Sequence, residues 1–259
     1  MPVFTTDAVV LKQFDLGEAD KIITFYSRDK GKIRAVAKNA RKGNYSISGR
    51  ALPFTYSTIT VYRGKSIDRL NQVKNKYSFS VLREDLTKMA YASYMAEFIE
   101  KVGMEDDSNL LLFSLLLSTF QKMIDISQAK LEYLNIAFTI RTLAILGFMP
   151  SVEKCIECET PIKPSSANIL DIARGGIVCP DCADIENKYE NQEEIFILSG
   201  ESLQIIKNIL KSGLELPQNL KISTKSLKEL ESFIDMFIKY HLDIKLKSKD
   251  FLHKIRDLG

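Results

Sequence analysis

At 259 residues, 45% hydrophobic and 27% charged, the chain has room for one large domain or two to three smaller ones, each with its own core, which excludes a disordered or fibrous protein. No apolar run is long enough to span a bilayer: the longest, Leu110 to Leu117, is interrupted at Ser114 and follows the acidic Glu105-Asp106-Asp107. The start, Met1-Pro2-Val3-Phe4-Thr5-Thr6-Asp7, has no secretory pattern, so a cytoplasmic protein with no membrane partner is expected. The net charge of +3 hides a division, because Met1 to Ser80 holds 15 Lys and Arg against 6 Asp and Glu, while Val81 to Gly259 holds 21 against 27.

Residues 3 to 76 read as five short strands. Val3 to Phe14 is rich in β-formers, Leu16 to Asp20 supplies a turn, and Lys21 to Ser27 follows. Arg28-Asp29-Lys30-Gly31 reads as a hairpin turn into Lys32 to Asn39, where alternation places Lys32, Arg34, Val36 and Lys38 on one face and Ile33, Ala35 and Ala37 on the other. A loop from Ala40 to Ala51 carries Arg41, Lys42 and Arg50. Leu52 to Arg63 is a fourth strand, Gly64-Lys65 a turn, and Ser66 to Lys76 a fifth. Five strands without helical periodicity between them fit a small barrel of the OB kind.

After Tyr77 the period changes. Met89, Ala92, Met95, Ala96, Ile99 and Val102 recur at helical steps and stop near Gly103. Ser108 is a plausible N-cap for a helix through about Ile126, and Leu131 to Leu146 forms another that Gly147 and Pro150 end. Ser199 to Lys211 and Ser223 to Leu242 read as two further helices, with Gly213 and Pro217 between them. The expected fold is α+β: an N-terminal OB-fold barrel (1–80), a helical domain (81–150 and 185–259) and a cysteine-bearing insertion (151–184).

Cys155-Ile156-Glu157-Cys158 and Cys179-Pro180-Asp181-Cys182 form two Cys-x2-Cys knuckles separated by 20 residues. Two residues between cysteines let a tight turn aim both thiolates at one ion, and two such turns complete the tetrahedron that zinc accepts. Disulfides are disfavoured in a reducing compartment, and an iron-sulfur cluster uses the same ligand set. Four thiolates leave no open position for water, so the metal is expected to be a structural Zn2+ and not a catalytic one. The surrounding Glu153, Glu157, Glu159, Asp171, Asp181, Asp184 and Glu186 would repel phosphate.

No catalytic pattern stands out, and no enzyme is expected. Gly64-Lys65-Ser66 resembles the end of a phosphate-binding loop, but Ile59 stands where that pattern demands glycine. The only histidines, His241 and His253, lack the His-x-Glu arrangement of zinc deaminases. A metal-dependent nuclease would require magnesium-dependent cleavage, for which nothing in the sequence argues.

The basic residues are interleaved with aromatics. Phe25, Tyr26, Phe54, Tyr56 and Tyr62 accompany the cations of the first 80 residues, and alternation puts Phe54, Tyr56, Thr58, Thr60 and Tyr62 on one face. Bases stack on aromatic faces while Lys and Arg follow the backbone, which is how OB barrels hold single strands without reading sequence. Phe25 and Phe54 are expected to fill the interior. For Tyr56 and Tyr62 both interior packing and base stacking stand, and they are carried as candidate nucleic-acid contacts beside Arg34, Lys38, Arg41, Lys42 and Arg50.

The chain resembles the RecO recombination-mediator family of bacterial DNA repair. The resembling stretches are Gly17-Glu18-Ala19-Asp20-Lys21-Ile22-Ile23-Thr24 with Gly31-Lys32, Val36-Ala37-Lys38-Asn39-Ala40-Arg41-Lys42, Leu52-Pro53-Phe54, and Phe138 to Pro150 running into Cys155-x-x-Cys158, as in zinc-bearing members. Asn39-Ala40 departs from the family, which usually has a glycine near there. The resemblance implies binding of single- and double-stranded DNA, annealing of complementary strands, cooperation with RecR to load RecA, and capture of the C-terminal tail of single-strand-binding protein. It also implies a cytoplasmic, nucleoid-associated location and a zinc segment packed on the helices. The competing reading is a zinc-stabilised protein-interaction scaffold in transcription or RNA handling.

Overall fold

The computed structural model describes residues 2–40, 47–164, 167–183, 195–215 and 222–256. In chain order the elements are β1 (Val3–Leu16), β2 (Asp20–Ser27), β3 (Gly31–Ala37), α1 (Ile47–Arg50), β4 (Tyr56–Tyr62), β5 (Asp68–Tyr77), α2 (Val81–Glu84), α3 (Leu86–Val102), α4 (Leu110–Asp125) and α5 (Gln128–Ile145). They continue with β6 (Asn168–Asp171), β7 (Gly176–Val178), β8 (Ile195–Leu198), α6 (Gly200–Ser212), α7 (Thr224–Leu242) and α8 (Lys247–Arg256). Two compact units divide the chain, one formed by Met1–Leu131 with Leu246–Gly259 and the other by Glu132–Lys245. Among the described residues no helix is long and apolar enough to cross a membrane.

In the first unit the five strands close into an OB-like barrel in the order β1-β2-β3-β5-β4. All neighbours are antiparallel except β3 and β5, which run parallel, with Ala35 opposite Asp68 and Val36 opposite Arg69. Alternation drives Val10, Ile23, Phe25, Ile33, Ala35, Ile59, Val61, Leu70 and Val73 inward, where they form one buried cluster. A bulge between Val10 and Lys12 bends the long first strand. Phe25 fills the barrel interior as expected, and Phe54 is buried instead beneath the helices, edge-on to Phe120 at 5.5 Å between centroids.

Several boundaries differ from the sequence expectation for physical reasons. The fourth strand begins at Tyr56 and not at Leu52, because Phe54 takes a positive φ of 68° and its amide turns back to the carbonyl of Val10 at 2.8 Å. Asn109, and not Ser108, caps α4: its Oδ1 accepts the Leu112 amide at 3.0 Å, the bond a short polar side chain makes best at a helix start. Helix α8 is strongly polar and buries Leu252 alone, and the strands β6 to β8 are only three or four residues long, so the sequence reading did not single them out.

Gly31 marks a close approach. It sits at φ 61°, and a Cβ there would lie 2.2 Å from the carbonyl oxygen of Asp107. Only glycine lets the segment after α3 lie against the β2–β3 turn, where the Lys32 amide bonds to the carbonyl of Met104 at 2.9 Å.

In the second unit β6 pairs antiparallel with both β7 and β8. Ser199 and Ser223 cap α6 and α7, each hydroxyl accepting the amide three residues on. The Glu201 carboxylate ties the two helices together by accepting from the Ser223 amide at 2.9 Å and from the Ser226 hydroxyl at 2.7 Å.

Candidate nucleic-acid interface and metal centre

The cysteine quartet is gathered by backbone turns. The Cys155 amide bonds to the Thr160 carbonyl at 2.9 Å and the Glu159 amide returns to the Cys155 carbonyl at 3.0 Å, folding the first knuckle. In the second, the amides of Cys182 and Ala183 both reach the Cys179 carbonyl at 3.0 Å. The Ile156 amide bonds to Ile177 at 3.0 Å and so brings the knuckles together. Gly176 permits this contact, since a Cβ there would meet the Ile156 side chain at 2.2 Å. The four sulfurs all lie within 4.8 Å of one another.

The donor set fits a tetrahedral ion. Zinc–sulfur bonds of about 2.3 Å place sulfurs roughly 3.8 Å apart along a tetrahedral edge, and Cys158 and Cys179 Sγ are 3.7 Å apart. That separation is far beyond a disulfide bond. The amides of Glu157 and Cys179 point at Cys155 Sγ from 3.4 and 3.3 Å. Burial opposes ionisation of Cys155, but the backbone N–H groups of Cys158, Cys179 and Glu157 outweigh it and bring its thiol down to about 6. Cys182 is pushed up to about 12, first by its hydrogen bonds to Cys158 and Cys179 and also by their charge. Four thiolates crowded together repel one another, and a cation resolves the conflict. Arg174 braces the site, bonding Asp171 at 2.7 Å and Glu157 at 2.6 Å.

The basic residues are more dispersed. Arg34 is exposed on β3. Lys32 from the same strand turns away, its Nζ donating to the Glu100 carbonyl of α3 at 2.9 Å, while Val36 is buried. Lys38 lies just past β3 and pairs with Asp20 at 2.7 Å. Arg50, the last residue of α1, is exposed and makes no ion pair with a described residue. Arg41 and Lys42 fall outside the described residues.

The parallel closure of β3 on β5 adds cations that the strand pattern did not single out. Lys65, in the β4–β5 connection, lines a cavity of about 260 Å³ together with Arg34, Arg63, Asp68, Glu105 and Asp106. Arg63 is engaged by Asp106 and Asp68, and its guanidinium lies 5.9 Å from the Phe4 ring centroid. Lys65 and Arg69 are exposed and form no ion pair with a described residue. Arg69 stands opposite Val36 in the register and within the electrostatic reach of Asp20, where it joins Lys38. The signal that could have found these residues is topological: in an OB barrel the β4–β5 loop lies beside the ligand-binding strands.

Tyr56 and Tyr62 lie on the outer side of the barrel, half-buried, with Ser57, Ile59 and Val61 facing inward between them. The Tyr56 hydroxyl donates to Asp7 at 3.2 Å, and Lys76 Nζ sits 5.1 Å from its ring centroid.

A closed OB-like barrel, a helical region and a cluster of four cysteines close enough to hold a metal ion define an α+β protein. Residues 1–79 match the family described as "Recombination protein O N terminal", and residues 83–250 match "Recombination protein O C terminal". The chain belongs to the RecO family of DNA repair proteins. It is 32% identical over 255 residues to the DNA repair protein RecO of Desulforamulus reducens, covering 98% of this chain and 96% of that one. It is likewise 32% identical over 254 residues to that of Pelotomaculum thermopropionicum (98% and 95%) and 28% identical over 258 residues to that of a Thermoanaerobacter species (100% of each).

Proposed function

We propose that the chain is a recombination mediator that binds single- and double-stranded DNA through its barrel, anneals complementary strands, and helps RecR load RecA onto DNA coated by single-strand-binding protein, whose C-terminal tail it holds. The observation that carries the reading is the convergence of exposed Arg34, Lys65 and Arg69 where β3 meets β5, beside the β4–β5 loop. Lys38, Arg41, Lys42 and Arg50 are further DNA contacts in this reading. Such cations exchange condensed counterions for their own charge and bind polyanions with little regard to sequence. Annealing and handing-over of strands requires no bond to break, so the protein's work is binding and release, without a catalytic group.

The division of labour follows the chemistry of each segment. Residues 1–80 contact DNA, residues 151–184 hold a structural Zn2+ through Cys155, Cys158, Cys179 and Cys182, and the helical residues 81–150 and 185–259 support both and offer surface to protein partners. The ion would supply cross-linking only, holding the two knuckles and, through Glu157 and Arg174, the β6–β7 hairpin. The protein acts in the cytoplasm, at the nucleoid.

Fluorescence anisotropy with labelled single strands and duplexes between 50 and 200 mM salt tests the reading, on the principle that each phosphate neutralised on a duplex contributes about 0.9 to the slope of log affinity against log salt. A slope of several units, with faster pairing of complementary strands in the protein's presence, is expected. No salt-dependent binding, or binding without faster pairing, would overturn the mediator role in favour of a scaffold.

A further inference from the structure

Residues paired across β4 and β5 share a face, so Tyr62 with Arg69, Thr60 with Gln72 and Thr58 with Lys74 all point outward, while Ile59 with Val73 and Val61 with Leu70 point into the core. From Arg69 to Tyr77, β5 contributes no carboxylate and three cations, Arg69, Lys74 and Lys76. Asp7 of β1 is the acid beside this face, and it is already engaged by Lys76 at 2.6 Å and Thr58 at 2.8 Å.

The face ends in a groove. Tyr56 stands opposite Tyr77 where the register is bulged, and with Phe79, and with Phe113 and Leu117 of α4, they line a cavity of about 490 Å³. Tyr77 is held edge-on by Phe79 at 4.6 Å between centroids yet keeps 46% of its surface in solvent. Tyr56 is held in the same way by Phe113 at 6.1 Å. A large aromatic ring fixed by its neighbours and left exposed at the end of a cationic strip is a stacking platform.

We propose that the outer face of the β4–β5 hairpin is a track for a single strand of nucleic acid, with one base seated on Tyr77 in the groove against α4. This rests on the DNA-binding reading above and adds to it a second contact, about 20 Å along the hairpin from the Arg34–Lys65–Arg69 cluster at roughly 3.3 Å per residue. Lys74 meets phosphate while Lys76 stays on Asp7 beside the Tyr56 ring, Tyr77 stacks the base, and the exposed Gln121 amide at the groove's rim offers donor and acceptor to a base edge. An apolar peptide would bury Tyr77 equally well but would leave Lys74 and Arg69, which form no ion pair with a described residue, without a counter-charge. A duplex keeps its bases stacked internally and cannot use the groove. The track therefore favours unpaired strands.

Anisotropy titration of the full chain with a labelled oligothymidylate and a blunt duplex, using wild type, Tyr77→Ala and Tyr77→Phe, tests the inference. Tyr77→Ala is expected to weaken single-strand binding about tenfold while duplex affinity stays within twofold, and Tyr77→Phe to behave as wild type. Photocrosslinking of a 5-iodouracil strand to the unaltered protein, expected to map to the peptide holding Tyr77, gives the same answer without any substitution. Unchanged single-strand affinity in Tyr77→Ala, with wild type binding normally, assigns the groove to a protein contact and overturns the track alone. An equal loss on both substrates overturns the stacking role, and absence of binding by wild type overturns the DNA-binding reading together with it.

Discussion

The Lys38 ammonium donates to one oxygen of the Asp20 carboxylate at 2.7 Å, and the Asn39 amide donates to the other at 2.9 Å. Asp20 thus holds the start of the basic segment and competes with phosphate for its first cation. The Lys38 hydrogen bond, aided by that of Asn39, keeps the Asp20 carboxyl below its ordinary range. A carboxyl with a depressed folded value is charged above its unfolded value and lets go only as pH falls through the depressed one, so the competition holds throughout neutral pH. Asp20→Asn retains an acceptor for Asn39 and releases Lys38. Its DNA affinity is expected to rise severalfold, with a salt slope steeper by up to about one unit in the same titration.

Removing the exposed cations at the β3–β5 junction should act on binding and not on folding. For the triple substitution of Arg34, Lys65 and Arg69 by alanine, the salt slope for duplex DNA is expected to fall by about 2.7, three phosphates at roughly 0.9 each. Each side chain is exposed and without an ion pair among the described residues, so stability should change by no more than about 0.5 kcal/mol per site. Circular dichroism melting checks the second half of this prediction.

Metal removal should unfold locally. Cys155→Ser, or a strong chelator, is expected to abolish bound zinc by elemental analysis and to lower the melting temperature by many degrees, because the binding energy of a structural site is folding energy. The barrel's affinity for DNA, scaled to the fraction still folded, should remain within about twofold. An unchanged melting temperature in metal-free protein would contradict a structural ion.

Gly31→Ala places a Cβ against the Asp107 carbonyl and asks alanine to hold a positive φ. Neither the backbone segment 104–107 nor the β2–β3 turn can yield without losing the Lys32–Met104 hydrogen bond. A loss of about 2–4 kcal/mol in denaturant unfolding is expected.

Filling space is equally constrained at Phe120, which is fully buried and meets Phe54 at 5.5 Å and Phe79 at 5.9 Å. Phe120→Ala should cost about 3–5 kcal/mol, read from the same denaturant curves.

Much of this protein was legible because its patterns are local. Alternation announced the barrel, a period-3.6 stripe announced α3, cap and stop residues announced α4 to α7, and the two knuckles announced a metal site whose sulfurs lie close enough for one ion. Even the departure at Asn39 has a local reason: the residue adopts φ 52°, where asparagine is the next best choice after glycine. The basic surface was less legible, since alternation cannot show that Lys32 reaches under α3 or that Lys38 meets Asp20.

By itself, then, the order of residues determined where strands and helices form, which side chains face inward, and which four cysteines come close enough to hold one ion, all consequences of spacing along a few turns of chain. Only the tertiary structure decided which cations stand free together. Arg69 joins Arg34 because β5 closes the barrel parallel to β3, and α8 returns Lys247, Lys249, Lys254 and Arg256 to the barrel's unit, which then holds 24 Lys and Arg against 16 Asp and Glu. Charge acts through space, and neighbours in space 30 or 200 residues apart along the chain leave no periodic trace in it.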